Sequence, residues 1–232
     1  MGIGYAIAEQ FGVEGATVII CSRKADNVKK AESDLKSKGI TVDAYVCNIN
    51  SKDERKKMLQ AIKDKYNKLD VLVSNVAVNP YFGPSMDMTE DAFDKIFEVN
   101  VKNTFFLIKE CLPLLKSAKN SNVLIISSQV GYTPFPMIGV YSMSKTCLLS
   151  MTKLLGEELA KFGIRVNSIA PGVINTKFAK ALIENELGSG NFLKRPGLPK
   201  EIGVAAAFVC SDEASFITGE NICINGGMHG RL

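Results

Sequence analysis

Short apolar runs alternate with longer amphipathic stretches along the whole chain. Residues 16–22 (ATVIICS), 41–47 (TVDAYVC), 69–75 (LDVLVSN), 122–127 (NVLIIS), 165–170 and 221–224 read as strands, being short, rich in β-branched residues and bounded by turn residues. The runs at 69–75 and 122–127 are almost continuously apolar, as expected of strands covered on both faces. Between them, apolar positions fall at helical spacing over 5–11, 26–38, 51–66, 89–115, 140–162 and 200–210. Ser51 to Glu54 has capping-box spacing, and Gly163 supplies a stop signal for the longest helix. The stretch 89–115 is expected to break near Asn100 and at Pro113. Strands alternating with helices predict an α/β fold, a doubly wound parallel sheet with helices on both faces. No repeat, linker or low-complexity stretch divides residues 1–232, which read as one domain. The irregular segment is 177–199, where a weak helical pattern meets GSGN and two prolines. Loops of that length are usually functional, and this one reads as a substrate lid.

Ligands bind such sheets outside the carboxyl ends of the strands. That rule directs attention to Ser22 and Arg23, to Asn48 and Ile49, to Asn75 through Ala77, to Ser127 and Ser128, and to Pro171 and Gly172. Composition narrows the chemistry. The 28 basic and 24 acidic residues leave a net charge of +4, with no basic tract to bind nucleic acid. The longest apolar runs fall far short of the ~20 residues that span a bilayer. The first residues do not read as a signal peptide. Six scattered cysteines without a CxxC pair fit neither a disulfide scaffold nor a zinc site, and read as thiols in a reducing compartment. A triad or a multi-histidine metal centre would have to be built on His229 alone, so no metal is expected.

The strongest chemical signal is Tyr141-Ser-Met-Ser-Lys145 at the start of a helix. Four residues apart, the phenol and the ammonium share a face. A nearby ammonium favours phenolate and would lower a pKa that is otherwise near ~10, which suits a proton donor and acceptor. Such a pair also arises by chance on amphipathic helices, so context decides. Ser128 follows a buried strand, and Asn100 sits in a helical stretch to which an amide is poorly suited.

The set Asn100, Ser128, Tyr141 and Lys145, with this strand order, resembles the short-chain dehydrogenase/reductase family. Asn75-Val76-Ala77 resembles the family's Asn-Asn-Ala-Gly segment, and Pro171-Gly172 with Thr176 its Pro-Gly-x-x-x-Thr turn. The resemblance covers essentially the whole chain. It implies a Rossmann-like fold and hydride transfer from a nicotinamide. Tyr141 would donate the proton, Ser128 would polarise the carbonyl, and Lys145 would tune Tyr141 and hold the ribose. Asn100 would hold a relaying water. The cofactor would lie along Gly2, Ile3, Gly4, Ser22, Arg23, Asn48, Ile49, Asn75, Ala77, Pro171, Gly172, Ile174 and Thr176. An acid after the second strand usually reads an NAD ribose. Here Cys21-Ser-Arg-Lys24 offers a cation instead, so Arg23 and Ser22 point to NADP(H), unless Arg23 and Lys24 are merely solvated turn charges. Where the family has Asp-Val near the adenine, this chain has Asn48 and Ile49.

Residues 74–83 (SNVAVNPYFG) are most similar to a subgroup of NADP-dependent carbonyl/retinal reductases. That implies an apolar or aromatic carbonyl substrate, or a retinal-like one, and a homo-tetramer. Phe82, Phe135, Met137 and Phe178 could line the substrate pocket or be ordinary packing. The closing Gly230-Arg231-Leu232 resembles a peroxisomal address with glycine in place of the usual Ser, Ala or Cys, so peroxisome and cytoplasm both stand. Gly2 and Gly4 match only the last two glycines of the family's phosphate-binding turn. The resemblance therefore implies that a central first strand is missing, and that the chain as written folds poorly and binds NADP(H) weakly. A catalytically silent relative acting through oligomer contacts, and a sensor that binds NADPH without turnover, are the alternatives.

Overall fold

The structure, a computed structural model, describes residues 2–184 and 190–228, without the side chain of Ala181. The closing tripeptide and His229 lie outside them. The elements run α1 (Ile3–Val13), β1 (Val18–Ser22), α2 (Ala25–Lys36), β2 (Val42–Val46), α3 (Lys52–Tyr66), β3 (Val71–Ser74), α4 (Glu90–Phe97), α5 (Asn103–Lys116), β4 (Asn122–Ile126), α6 (Gly139–Ala160), β5 (Arg165–Pro171), α7 (Lys180–Glu184), α8 (Pro199–Cys210) and β6 (Asn221–Ile224). All strand pairs are parallel, as the alternating pattern requires.

The strands form two sheets rather than one. β1 pairs with β2, and β3-β4-β5-β6 form the second sheet. Among the described residues nothing pairs with the other edge of β1 or of β3. Side chains alone join the sheets there. On one face α1 bridges the seam: Ile7 packs in the cluster that holds Leu124 and Val73, while Ala8 and Tyr5 pack in the cluster that holds Val18 and Ile20. On the other face, Met58 and Ile62 of α3 and Leu114 of α5 meet Ile19, Tyr45 and Leu69. The seam lies between β1 and β3. Its cost shows in burial, since all five residues of β4 are buried while Ile19, Ile20, Leu72 and Val73 are only partly so.

Local structure follows local sequence with two informative departures. Ser51 caps α3 by accepting from the Glu54 N–H, and Gly163 ends α6 at φ +72°. The stretch 89–115 does not break at Asn100 but widens there into a π-helical turn over Glu98–Lys102. Pro113 does not break it: α5 runs through to Lys116. Pro113 lies on the exposed side of α5, so the helical bond it cannot make is lost beside solvent rather than in the core. Cys47 and Cys111 are buried, but Cys21 is exposed at the end of β1, and the cysteines are all free thiols.

Candidate active site

Because every strand is parallel, the residues after β1 to β6 gather at one end of the molecule. There the first turns of α6 carry Tyr141 and Lys145, both buried. Lys145 is 1% exposed, and its Nζ donates to the Ile126 carbonyl at the end of β4, 3.0 Å away. The ammonium stands 5.5 Å from the Tyr141 ring centroid. Ser127, turned the other way from Ser128 by strand alternation, donates to the Lys145 carbonyl at 3.0 Å. Ser128 caps the 3-10 turn Gln129–Gly131 by accepting from the Val130 N–H. Gly131 lets that turn close on α6: a Cβ there would stand 2.9 Å from the Lys145 carbonyl carbon.

Asn100 reaches the same place through partners that the sequence did not reveal. Its Oδ1 accepts from the Val78 N–H at 2.8 Å, and its Nδ2 donates to the Val78 carbonyl and to Ser144 Oγ, each at 3.1 Å. Ser144 Oγ in turn donates to the Tyr141 carbonyl at 2.7 Å. One amide thus fixes the segment after β3 to the helix that carries the phenol. The π turn is what aims it inward, because an extra residue per turn rotates Asn100 off the regular helix face.

Burial sets the electrostatics. It brings Lys145 down to about 7 and pushes the Tyr141 phenol above its ordinary range. The expected lowering of Tyr141 by Lys145 is therefore not found: loss of water around the phenol outweighs the ammonium, whose own charge burial weakens.

The rest of the carboxyl edge fits a dinucleotide in part. Gly2 caps α1 without a side chain of its own, and a Cβ there would meet nothing within 4 Å, so the helix N-terminus stays open to an anion. At Gly4 a Cβ would stand 2.6 Å from the Asn75 amide nitrogen, so glycine is what admits Asn75 to this cradle. Ala77 adjoins the Val78 anchor. Ser22 and Arg23 stand at the end of β1, with no acid before Asp26. Gly172 donates to the Ile224 carbonyl at 2.9 Å, and a Cβ there would stand 2.9 Å from Asn225 Cα. Pro171 ends β5, Ile174 is buried and bridges to Gly197, and Thr176 caps the turn Lys177–Ala179.

The Asn48 side chain is turned inward on its own loop: Oδ1 accepts from the Asn50 N–H at 3.2 Å, while the Asn48 N–H donates to Glu54. The Ile49 carbonyl accepts from buried Arg55, which pairs with Glu110 through two bonds of 2.8 and 2.9 Å. Arg55, Glu110 and Ser144 are the positioning residues that sequence reasoning missed. Their pairing across 44 to 55 residues leaves no local signal. Of the apolar candidates, Phe178 lies against Tyr141, with ring centroids 6.0 Å apart. Phe82 is exposed on its loop, and Phe135 and Met137 are half-buried before α6.

This fold and side-chain set define a class. The model of a family described as enoyl-(acyl carrier protein) reductase matches residues 1–229. The chain belongs to the short-chain dehydrogenase/reductase family of oxidoreductases. It is similar to tropinone reductase-like 3 of Erythroxylum coca, with 44% identity over all of this chain and 90% of that protein. It is similar to dehydrogenase/reductase SDR family member 4 of Mus musculus at 40% identity and of Homo sapiens at 38%, each over all of this chain and 85% of the relative. Among solved structures, a variant of actinorhodin polyketide ketoreductase with NADPH superposes with a TM-score of 0.93 at 26% identity, covering 98% of this chain and 93% of that one.

Proposed function

We propose that the protein reduces a ketone or aldehyde with NADPH, or runs the reverse alcohol oxidation, on an apolar or aromatic carbonyl or a retinal-like one. The observation that carries this reading is the Tyr141–Lys145 pair. Burying a lysine with no carboxylate among its described partners is costly, and such groups cluster at functional sites. The polyketide ketoreductase solved with NADPH supports the cofactor, as does the cation-bearing Ser22-Arg23 turn. Bound NADPH would supply the hydride. Tyr141 gives its phenolic proton to the carbonyl oxygen as negative charge develops there, and Ser128 Oγ donates a hydrogen bond to that same oxygen. Lys145, held by Ile126, offers its remaining N–H donors to the ribose and to the phenol. Asn100 and Ser144 keep α6 in place against the segment after β3. Arg23 and Ser22 would hold the 2′-phosphate, and Gly2, Ile3 and Gly4 the pyrophosphate.

The test is NADPH binding followed by turnover of a ketone. Tyr141→Phe should lower kcat by about 10²- to 10⁴-fold and leave NADPH affinity within about twofold. Unchanged turnover in that variant would end the reading. The seam beside the cofactor cradle favours one competitor, a catalytically silent relative, and absence of NADPH binding would move that reading ahead. Phe105 and Phe106 of α5 and Met143 and Leu154 of α6 are exposed, which supports association with further copies, a tetramer in the family reading. Sedimentation at several concentrations checks it. The compartment rests on Gly230-Arg231-Leu232 alone, and a fluorescent fusion with and without that tripeptide tests peroxisome against cytoplasm.

A further inference from the structure

Asn103 is a costly residue in its place. It opens α5 directly after the π turn and is 4% exposed. An amide is a poor helix former, and burying one is unfavourable unless it is bonded. Its partner lies 53 residues back: Nδ2 donates to Asn50 Oδ1 at 2.8 Å, in the loop after β2. That loop is otherwise shaped mostly from its own side of the seam. The Asn48 N–H donates to Glu54 of α3, the Ser51 N–H to the Asn48 carbonyl, and the Asn50 N–H to Asn48 Oδ1. Arg55 reaches the Ile49 carbonyl and carries the link on to Glu110. Among the described residues, Asn103 is where α5 hydrogen-bonds the loop directly.

The π turn gives this bond its consequence. In an α-helix, residues three apart are neighbours on one face. The wider turn spreads Asn100 and Asn103 apart: Asn100 bonds Val78 and Ser144 beside Tyr141, and Asn103 bonds Asn50. Thr104 Oγ1 donates to the Asn100 carbonyl at 2.9 Å and ties the turn to α5. One short stretch of backbone therefore holds the helix that carries Tyr141 with one amide and the loop after β2 with another. In the reductase reading the nicotinamide ribose would lie at Lys145, the pyrophosphate at the N-terminus of α1 and the 2′-phosphate at Arg23 after β1. The next strand outward is β2, so the base would fall to residues 48–50.

We propose that Asn103 is a positioning residue for the cofactor, setting the spacing between the loop that takes the adenosine end and the helix that takes the nicotinamide end. It touches neither end and acts through Asn50. This rests on the reductase reading and adds to it how the two halves of the site are kept in step. Asn103 should then matter to the linked dinucleotide and not to either half alone, because joining two ligands helps only when their sites are correctly spaced.

The experiment titrates the wild type, Asn103→Ala, Asn50→Ala and the double variant with NADPH, with reduced nicotinamide mononucleotide and with adenosine 2′,5′-bisphosphate. Asn103→Ala should raise the NADPH dissociation constant about five- to tenfold, the size of one neutral hydrogen bond, and leave both half-molecules within about twofold. Asn50→Ala should do the same, and the double variant should be no worse than either single one. Asn50 lies in a half-buried loop, so its variant keeps the test open should Asn103→Ala fail to fold. Weaker binding of the adenosine half would mean that Asn103 merely shapes the loop, and weaker binding of the nicotinamide half that it merely supports the core. Either result, additive losses in the double variant, or unchanged NADPH affinity would overturn the inference while the reductase reading stands. A wild type that binds neither NADPH nor the nicotinamide half would fail the reductase reading first, and this inference with it.

Discussion

Lys145 concentrates the physics of the site in one side chain. An unfolded lysine titrates near its ordinary 10.5, whereas burial holds this one near 7. As pH falls from the first value to the second, the unfolded chain gains a proton that the folded chain refuses, so the folded state loses stability. Stability from this group therefore rises with pH between about 7 and 10. Above ~10 the raised Tyr141 works the other way, since the unfolded phenol ionises first. Lys145→Met should remove the rise and stabilise the protein near neutral pH while abolishing activity. Unfolding free energies from urea titrations at about pH 7 and pH 9 should differ for the wild type by about 2 kcal/mol and hardly at all for the variant. Asn100 makes a second point at this scale. Its amide is saturated by Val78 and Ser144, so Asn100→Ala leaves buried polar groups without partners at a cost of about 1–3 kcal/mol. Thermal melting checks that loss.

Among the elements, the loop after β2 shows how much sequence can and cannot disclose. The strand and the capped helix around it were legible, because alternation and Ser51-x-x-Glu54 are local signals. The clamp on Ile49 was not, since Arg55 finds Glu110 on α5, 55 residues away. Glu110→Gln leaves a buried guanidinium half-paired. Glu110 keeps some solvent contact, so the loss should fall below the ~3–5 kcal/mol of a fully buried pair, at about 2 kcal/mol. NADPH affinity should weaken with it if residues 48–50 form the adenine site. Denaturant titration of the variant and its NADPH affinity read the two effects separately. Tyr141, Lys145, Ser128 and Asn100 were legible as a set because motif spacing survives without knowledge of contacts. What each touches was not, and the π turn at Glu98–Lys102 is the example. Sequence marked Asn100 as a misfit in a helix, but only tertiary packing chooses a wider turn over a break.

At the scale of the molecule, the seam between β1 and β3 governs behaviour. Backbone groups along both edges lack ladder partners among the described residues, so amides of β1 and β3 should exchange with solvent much faster than those of β4 and β5. Hydrogen exchange by mass spectrometry tests this directly, and uniform protection across all six strands would contradict it. Placing a further apolar strand ahead of Gly2, able to pair with both edges, should sharpen and raise the melt. The Glu110 clamp ties the loop after β2 to α5, which packs in the core with β4 and β5, so it is one of the side-chain links that hold the two pieces together.

The seam also divides the proposed cofactor's grip. Arg23 and Asn48 belong to the β1–β2 piece, while Tyr141, Lys145 and Thr176 belong to the four-stranded piece. A dinucleotide laid along this edge would be a rivet: its phosphate-bearing adenosine end would fasten to one plate and its nicotinamide ribose to the other. Each plate alone offers only half a handhold, so the two must stand in register before the molecule is gripped at all. Loading with NADPH at 100 times its dissociation constant would add about 2.7 kcal/mol, all of it conditional on that register. Two loosely coupled melting steps should then merge into one, and a nucleotide fragment carrying only the adenosine half should fail to merge them.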